Sequence, residues 1–479
     1  MSDQREAIRS NAKYLRNARP VDPEEICEYV EGQPHPAVVK QALREEAFDL
    51  GLVEREDGTF VPVGEEPVRP AFHGVTSFPD AYARALEDLL VERYGAGWPE
   101  GESGDELRER IRKLKDAYYR QHPVEYDEEA TLGYAVYHLP DYYAAVQYVL
   151  AELSEEGLLP RTLRVLDVGA GVGGPALGLH DFLPDDSLVD YHAVEPSASA
   201  DVLERLLDGT RRNFRATVHR ERAEEFDLGT GGAEGDAESG DGWDLILFAN
   251  VLNELDDPEG TARRYLDALA EDGSLVALAP ADRNTSVGLR QVERSLTDDA
   301  AVFSPTIRLW PHAEPDDTGW SFTVKPDLDA PPFQRRLDEA ATDPEHEPGE
   351  FVNVDVQYSH AVLRPDGRRK VDFTPDASRF AKMAEMDTHV PDRIDLVALK
   401  LSHDLSGPDA NPLFKISDGS ERTDNYAVLT KETALNADLR TADYGDLLTF
   451  ERALALWNDD EEAYNLVVDE ETAIDRVPV

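Results

Sequence analysis

At 479 residues the chain is too long for one ordinary core, and roughly two to four domains are expected. Hydrophobic residues make up 41%, enough for packed interiors, yet no run approaches the roughly 18 apolar residues that span a bilayer. The formal net charge is −51, and one cysteine, Cys27, excludes internal disulfides and any site built from several thiolates.

The N-terminal MSDQREAIRS has no apolar signal core, so a soluble cytoplasmic protein without a membrane partner is expected. Of 48 cationic residues 10 are lysine, which leaves 38 arginines. The acids are scattered and apolar periodicity persists, so the charge reads as a folded, halophilic protein and not as an acidic tail. At about 1 M salt the Debye length is ~3 Å and self-repulsion is screened, so the charge does not exclude a nucleic-acid partner.

Residues 1–66 read as three helices and a hairpin. REAIRSNAKYLRNA has helical spacing. DPEEICEYV starts with Asp22 as cap and Pro23 at the first helical position. HPAVVKQALREEAFDLG is stopped by Gly51, and LVEREDGTFVPV alternates around Asp57-Gly58. This is a winged-helix pattern, fitted either to nucleic acid or a ribosome, or to packing alone. Residues 67–160 read as a helical subdomain. Its last helix, LGYAVYHLPDYYAAVQYVLAELSEEG, is rich in tyrosine and runs into the next region, where it would lid a cofactor cleft. Each tyrosine taken singly reads as core.

Residues 161–388 alternate strand and helix: LRVLDVG, GPALGLHDFL, LVDYHAVEP, SADVLERLLDG, FRATVHRE, WDLILFANVL, EGTARRYLDALAEDG, SLVALAP, VGLRQVERSL. Five strands with intervening helices predict an α/β, doubly wound, Rossmann-like sheet. GTGGAEGDAESGDG, 229–242, reads as a flexible acidic insertion, 301–350 as irregular, and FVNVDVQYSHAVLRPDGRRKVDFTP as a hairpin around Asp366-Gly367. Residues 389–479 give five strands with a short helix between the third and fourth, the order of an OB-like β-barrel. Phe414 and Tyr426 are its candidates for stacking on bases, against a reading as core aromatics.

The decisive stretch is VLDVGAGVGG, 165–174, with four glycines in six positions between an apolar strand and a helix. Gly169, Gly171 and Gly174 fit G-x-G-x-x-G, which suits a dinucleotide, another adenosine cofactor, or a bare turn. Asp167 stands at the mouth, where it would repel a pyrophosphate and suits a cation. S-adenosylmethionine carries an ammonium and a sulfonium and no phosphate. Glu195, ending the next strand, can accept from ribose hydroxyls for either cofactor.

D-x-G-x-G-x-G with Glu195 28 residues after Asp167 resembles the signature of class I methyltransferases. The resemblance implies that Asp167, Gly169, Ala170 and Gly171 border the methionine part of S-adenosyl-L-methionine and Glu195 its ribose. It implies that Ala223 and Glu224 adjoin adenine, and that Asn250 faces the transferred methyl. YHLPDYYAAVQYVLAEL, VLDVGAGVG, DLILFANVLNEL and GSLVALAPAD...GLRQVERSL occur in that order. The succession is similar to the methyltransferase-like proteins associated with the mitochondrial small ribosomal subunit and their microbial relatives. It covers about residues 130–365, including FQRRL and YSHAVLRPDG. It implies binding to the small ribosomal subunit or its RNA, in assembly or translation.

Many relatives of that kind carry a cysteine-rich segment for a metal cluster. Here FSPTIRLWPHAEPDDTGWSF has none, so no metal and no iron–sulfur cluster is expected, and His312 reads as structural. Asn250, Asn253 and Glu254 are the candidates for the chemistry, and Asn253 and Glu254 read equally as the cap of the following helix. Arg308, Arg335, Arg336, Arg368 and Arg369 are candidate positive clusters. The readings are an RNA methyltransferase of the small ribosomal subunit, a non-catalytic assembly factor that keeps the cofactor, and, remotely, a winged-helix transcription regulator.

Overall fold

The computed structural model describes residues 2–120, 122, 124, 126–229, 242–315 and 320–478. The chain opens with α1 (Ser2–Leu15), α2 (Pro23–Tyr29), α3 (Pro36–Leu50), β1 (Leu52–Glu54) and β2 (Phe60–Pro62). Three helices follow, α4 (Asp80–Tyr94), α5 (Gly101–Arg120) and α6 (Glu128–Glu155). Next come β3 (Thr162–Val168), α7 (Gly174–Phe182), β4 (Leu188–Val194), α8 (Ser199–Leu207), β5 (Phe214–His219) and β6 (Trp243–Ala249). Then run α9 (Pro258–Leu266), β7 (Leu269–Pro280), α10 (Arg283–Ser295), β8 (Ala301–Ser304), β9 (Thr323–Lys325), α11 (Pro332–Glu339) and β10 (Val356–Arg364). The remainder is β11 (Arg393–Lys400), β12 (Leu413–Ser417), β13 (Asn425–Leu429), α12 (Asp438–Thr441), β14 (Leu447–Asn458), β15 (Ala463–Val468) and β16 (Ala473–Arg476). Two compact units result, one of residues 1–249, 268–270 and 327–354, the other of 250–267, 271–326 and 355–479.

In the first unit Asp22 caps α2 through the Glu24 N–H, with Pro23 at its first turn. Val21 bridges Phe60 across the β1–β2 hairpin, which completes a winged-helix arrangement. Ile8, Ile26, Val39, Leu43, Leu52 and Phe60 form its core. This module is docked. Ala47 and Val53 pack on Leu188 of β4. The Glu54 N–H donates to Asn213 Oδ1 at 2.8 Å, and Asn213 Nδ2 donates back to the Glu54 carbonyl at 3.1 Å. Lys40 and Arg44, the cations of α3, both bind the Glu54 carboxylate, at 2.9 and 2.6 Å.

Strands β5, β4, β3 and β6 of this unit lie side by side in that order, all parallel. Leu163, Val165, Leu166 and Val168 of β3 and Leu245–Phe248 of β6 are fully buried, as a parallel sheet covered on both faces requires. This is the expected Rossmann-like sheet. The insertion expected at 229–242 lies outside the described residues apart from its end glycines, Gly229 and Gly242.

In the second unit β7 pairs antiparallel with β10, which also pairs with β8 and β9. The hairpin expected around Asp366-Gly367 does not form. Gly367 makes the turn at φ 78°, but the chain beyond it runs beside 303–306, where Lys370 N–H donates to the Phe303 carbonyl. The partners of β10 are distant in sequence, which a local pattern cannot reveal. The helix expected through 259–273 ends at Leu266, because the Ala268 carbonyl already accepts from Trp243 in the sheet. The stretch expected to be irregular, 301–350, holds β8, β9 and α11.

Strands β11, β12, β13, β15 and β14 close on one another, with β13 and β15 parallel and the rest antiparallel. With α12 between β13 and β14, this is the OB-like order expected. A sixth strand, β16, extends β14 and was not expected. Phe414 belongs to the barrel core at 2% exposure, so it cannot stack on a ligand. Tyr426 is half-buried, its hydroxyl donating to Asp424 at 3.3 Å.

Candidate functional site

Strand β3 delivers the chain to the glycine loop. Gly169 and Ala170 N–H both reach the Val194 carbonyl of β4, at 2.8 and 3.3 Å. Gly171 sits in the left-handed region at φ 54°, which its bare backbone tolerates. Its N–H donates to Glu195 Oε2 at 2.8 Å. Helix α7 starts at Gly174. A Cβ there would lie 2.9 Å from Tyr142 Cβ and 3.1 Å from the Leu139 carbonyl of α6. The last glycine of the motif therefore serves helix–helix approach, and the first two shape the loop.

Asp167 is fully enclosed beneath the loop. Its Oδ2 accepts the Tyr191 hydroxyl at 2.6 Å, while Oδ1 has no hydrogen-bond partner among the described residues. Burial pushes its carboxyl up to about 7; the Tyr191 bond opposes this and the Glu195 charge adds to it. Glu195 is 7% exposed and accepts from two backbone N–H groups, Gly171 and, at 2.9 Å, Ser197. It ties the glycine loop to the start of the β4–α8 connection.

Helix α6 lies over both. Thr131 Oγ1 is 3.3 Å from Ser199 Oγ at the start of α8, and Leu139–Tyr143 touch Gly174. The helix thus crosses from one loop to the other. It also carries a polar aromatic patch, where the sequence pattern suggests separate core residues. His138 stacks on Tyr142 with centroids 5.2 Å apart, and tilts against Tyr134 at 5.1 Å. Asp141 holds His138 Nδ1 at 3.2 Å and accepts from Asn353 Nδ2 at 3.0 Å. The tyrosine density of α6 was the signal for it.

The Glu195 N–H donates to the His219 carbonyl at 2.9 Å, which places the end of β5 beside Glu195. Beyond it Ala223 is buried, and Glu224 pairs with Arg222 at 3.5 Å. Asp167, Gly169, Ala170, Gly171 and Glu195 are thus brought together in the first unit. Asn250 opens the second unit in a left-handed conformation, φ 62°, its N–H on the Leu278 carbonyl. Asn253 and Glu254 are exposed on a 3-10 turn. They do not cap α9; Asp257 does, accepting from Gly260 N–H at 2.9 Å. His312 is exposed at φ 60°. Among the described residues no group of three or more His, Cys, Asp or Glu is placed to hold a metal ion, and no helix is long and apolar enough to cross a membrane.

Among solved structures the chain is similar to the sugar N-methyltransferase KedS8 from Streptoalloteichus sp ATCC 53650, at 24% identity over 28% of this chain and 47% of that one, TM-score 0.21. It is similar to an S-adenosylmethionine-dependent methyltransferase from Clostridium acetobutylicum ATCC 824 at 14% identity, over 38% and 60% of the two chains, TM-score 0.24. It is similar also to the CurJ carbon methyltransferase at 16% identity, over 76% and 91%, TM-score 0.29. The chain thus spans about half the length of the first of these and 60% of the second. No curated protein matches it. Residues 5–56 and 384–477 match the N-terminal and C-terminal domains of a family described as a domain of unknown function (DUF8157). Residues 138–328, which run from α6 through the glycine loop, Glu195 and Asn250, match the family model described as a methyltransferase domain, and the cofactor of that domain is S-adenosylmethionine.

Proposed function

We propose that the protein is an S-adenosylmethionine-dependent methyltransferase whose acceptor lies in the RNA of the small ribosomal subunit. The observation that carries the cofactor half is the enclosed Asp167 Oδ1, a carboxylate oxygen without a partner beneath a bare glycine backbone. It suits an ammonium and repels a pyrophosphate. In this reading Asp167 holds the amino group, and Gly169, Ala170 and Gly171 border the methionine chain. Glu195 meets the ribose with the lone pairs that Gly171 and Ser197 leave free, and Ala223 and Glu224 adjoin the adenine. The bound cofactor supplies an activated methyl group; alignment of the acceptor is the protein's main task.

The RNA half rests on the order of the four motifs between 130 and 365 and on the barrel. Trp457 and Tyr464 flank the turn between β14 and β15, rings 4.8 Å apart and edge-on, and Trp457 is 41% exposed. In OB barrels that turn belongs to the nucleic-acid face. They replace Phe414 as the stacking aromatics. The turn itself is acidic, Asp459–Glu462, so its contribution is stacking and not phosphate contact. The acidic surface fits a salt-rich cytoplasm.

A second reading, an assembly factor that binds cofactor without transferring methyl, draws on the protein-bound state of both carboxylates: Asp167 on Tyr191, Glu195 on two backbone amides. The transcription-regulator reading loses support, since α3 packs on β4 and its cations are held by Glu54. Incubation of small-subunit particles with methyl-tritiated cofactor at high salt separates the cases. Label in the RNA supports the methyltransferase; co-sedimentation with bound cofactor and no label supports the assembly factor. Absence of both sinks the ribosomal assignment.

A further inference from the structure

The second unit holds a cavity of about 580 Å³ outside the glycine-loop site, bordered by Glu293 of α10, by Arg308, Trp310 and His312 in the stretch after β8, and by Arg369 and Thr374 beyond β10. Its size is that of small-ligand sites. Its charges are unevenly satisfied. Glu293 is committed to the fully buried Arg290, which also donates to the His360 carbonyl. Arg308 Nη1 reaches Glu293 only at 3.8 Å, and Arg308 Nε and Nη2 are enclosed with no acceptor among the described residues. Arg369 donates to the Arg308 carbonyl, which brings the second guanidinium onto the first residue's backbone. Burial holds the Arg369 guanidinium below its ordinary pKa; the Asp372 charge opposes this, and the Arg308 charge adds a smaller push downward. Two guanidiniums, Arg308 and Arg369, and the enclosed carboxylate of Glu293 line it, together with the exposed Glu314.

An arginine cannot shed its proton, so enclosed N–H groups without an acceptor are an unmet demand for an anion. Two guanidiniums over one cavity match the several oxygens of a phosphate group. In a chain of net charge −51 such a place is selective, because the surrounding field rejects anions elsewhere. We propose that the cavity bounded by Arg308 and Arg369 is a phosphate-binding site, distinct from the cofactor loop, that takes the phosphate group of a small ligand or of a nucleic-acid chain.

The test titrates the full-length protein with inorganic phosphate, replacing KCl at constant ionic strength near ~1 M so that screening does not change. Phosphorus NMR and thermal melts read the binding. The wild type should bind saturably, and R308M and R369M should each weaken binding about tenfold or more, as loss of a charge-assisted bond implies. Arg336, held by Glu87 in the other unit, gives the control R336M, which should bind as wild type. R369K keeps the charge and loses the planar fork; it should bind between wild type and R369M, which holds even where R308M does not fold. Displacement of phosphate by an oligouridylate lacking terminal phosphate assigns the site to a nucleic-acid chain. Displacement by uridine 5′-monophosphate alone assigns it to a small ligand. Phosphate that does not saturate the wild type, or binds all four variants equally, overturns the proposal.

Discussion

Replacing Asp167 by asparagine should abolish a pH dependence that the wild type must show if its carboxylate meets the cofactor ammonium. Burial raises this carboxyl from the ordinary 3.8 to about 7, with the Tyr191 bond opposing and Glu195 assisting. The ligand-free folded protein therefore holds a proton below pH 7 that the unfolded chain releases near 4. Folding is favoured by this group at low pH; the contribution fades as pH climbs from about 4 to 7 and is gone above. Three units correspond to about 4 kcal/mol, an upper figure. An ammonium beside Oδ1 favours the ionised form, so binding below pH 7 must expel the proton. Affinity for S-adenosylmethionine should then fall up to tenfold per unit, about fiftyfold between pH 7 and pH 5. Calorimetry in buffers of different ionisation enthalpy should count about one proton released at pH 5 and almost none at pH 8. D167N should bind about tenfold or more weaker at pH 8, with a flat profile between 5 and 7. A wild type whose affinity is the same at pH 5 and 7, with no proton released, would refute the placement of the ammonium at Asp167.

Gly178→Ala should destabilise the first unit by about 1–3 kcal/mol in denaturant unfolding, because its Cβ would fall 2.5 Å from the Tyr143 carbonyl and 2.4 Å from Val146 Cγ1; an unchanged midpoint would contradict the close contact of α6 and α7. Trp457→Ala should leave S-adenosylmethionine binding intact and weaken association with single-stranded RNA by about 1–3 kcal/mol at high salt; equal binding would remove the barrel from the RNA face. The melting temperature should rise steeply between 0.1 M and 3 M KCl as self-repulsion is screened, and a flat melt would dispose of the halophilic reading.

The glycine loop was legible because its chemistry is local: strand, turn and helix start within VLDVGAGVGG, and Glu195 ends the adjoining strand. The barrel was legible because its strands alternate and follow one another. What failed was non-local. Phe414 and Tyr426 lie on neighbouring strands, paired at Phe414↔Ala427 and Lys415↔Tyr426, and alternation alone does not say which face closes inward. The turn at Asp366-Gly367 was real, but β10 had already found its partners in β7, β8 and β9. The docking of the winged-helix module rests on Asn213 meeting the Glu54 backbone, 159 residues away. The cap of α9 lies a few residues beyond the expected one, since Asn253 and Asp257 are both good caps by composition and the 3-10 turn at Leu252–Glu254 takes up the first of them.

With 48 cations against 99 acids, where each cation is committed decides which anions the molecule can hold. Lys40 and Arg44 are taken by Glu54, Arg112 by Glu350, Arg393 by Asp469 and Lys415 by Asp424. The Arg112 hydrogen bond holds the Glu350 carboxyl down at about 2. The part-exposed pairs Arg112–Glu350 and Arg393–Asp469 contribute little stability, about 0–1 kcal/mol each, and still less in strong salt, whereas Glu54 and Lys415 are buried and their partners spare the fold an unpaired charge. Their main consequence is to remove phosphate-gripping charge from the winged-helix module, from α5 and from the barrel. On the proposed reading RNA would be engaged through ring faces and shape, contacts that release few counterions and so depend weakly on salt. Among the described residues this arrangement leaves the enclosed Arg308 guanidinium as one place where a fixed positive charge still lacks an acceptor at two of its nitrogens. The two proposed sites would therefore select opposite charges, each by what burial has left unpaired: a carboxylate oxygen under the glycine loop, and guanidinium N–H groups beside the stretch that follows β8.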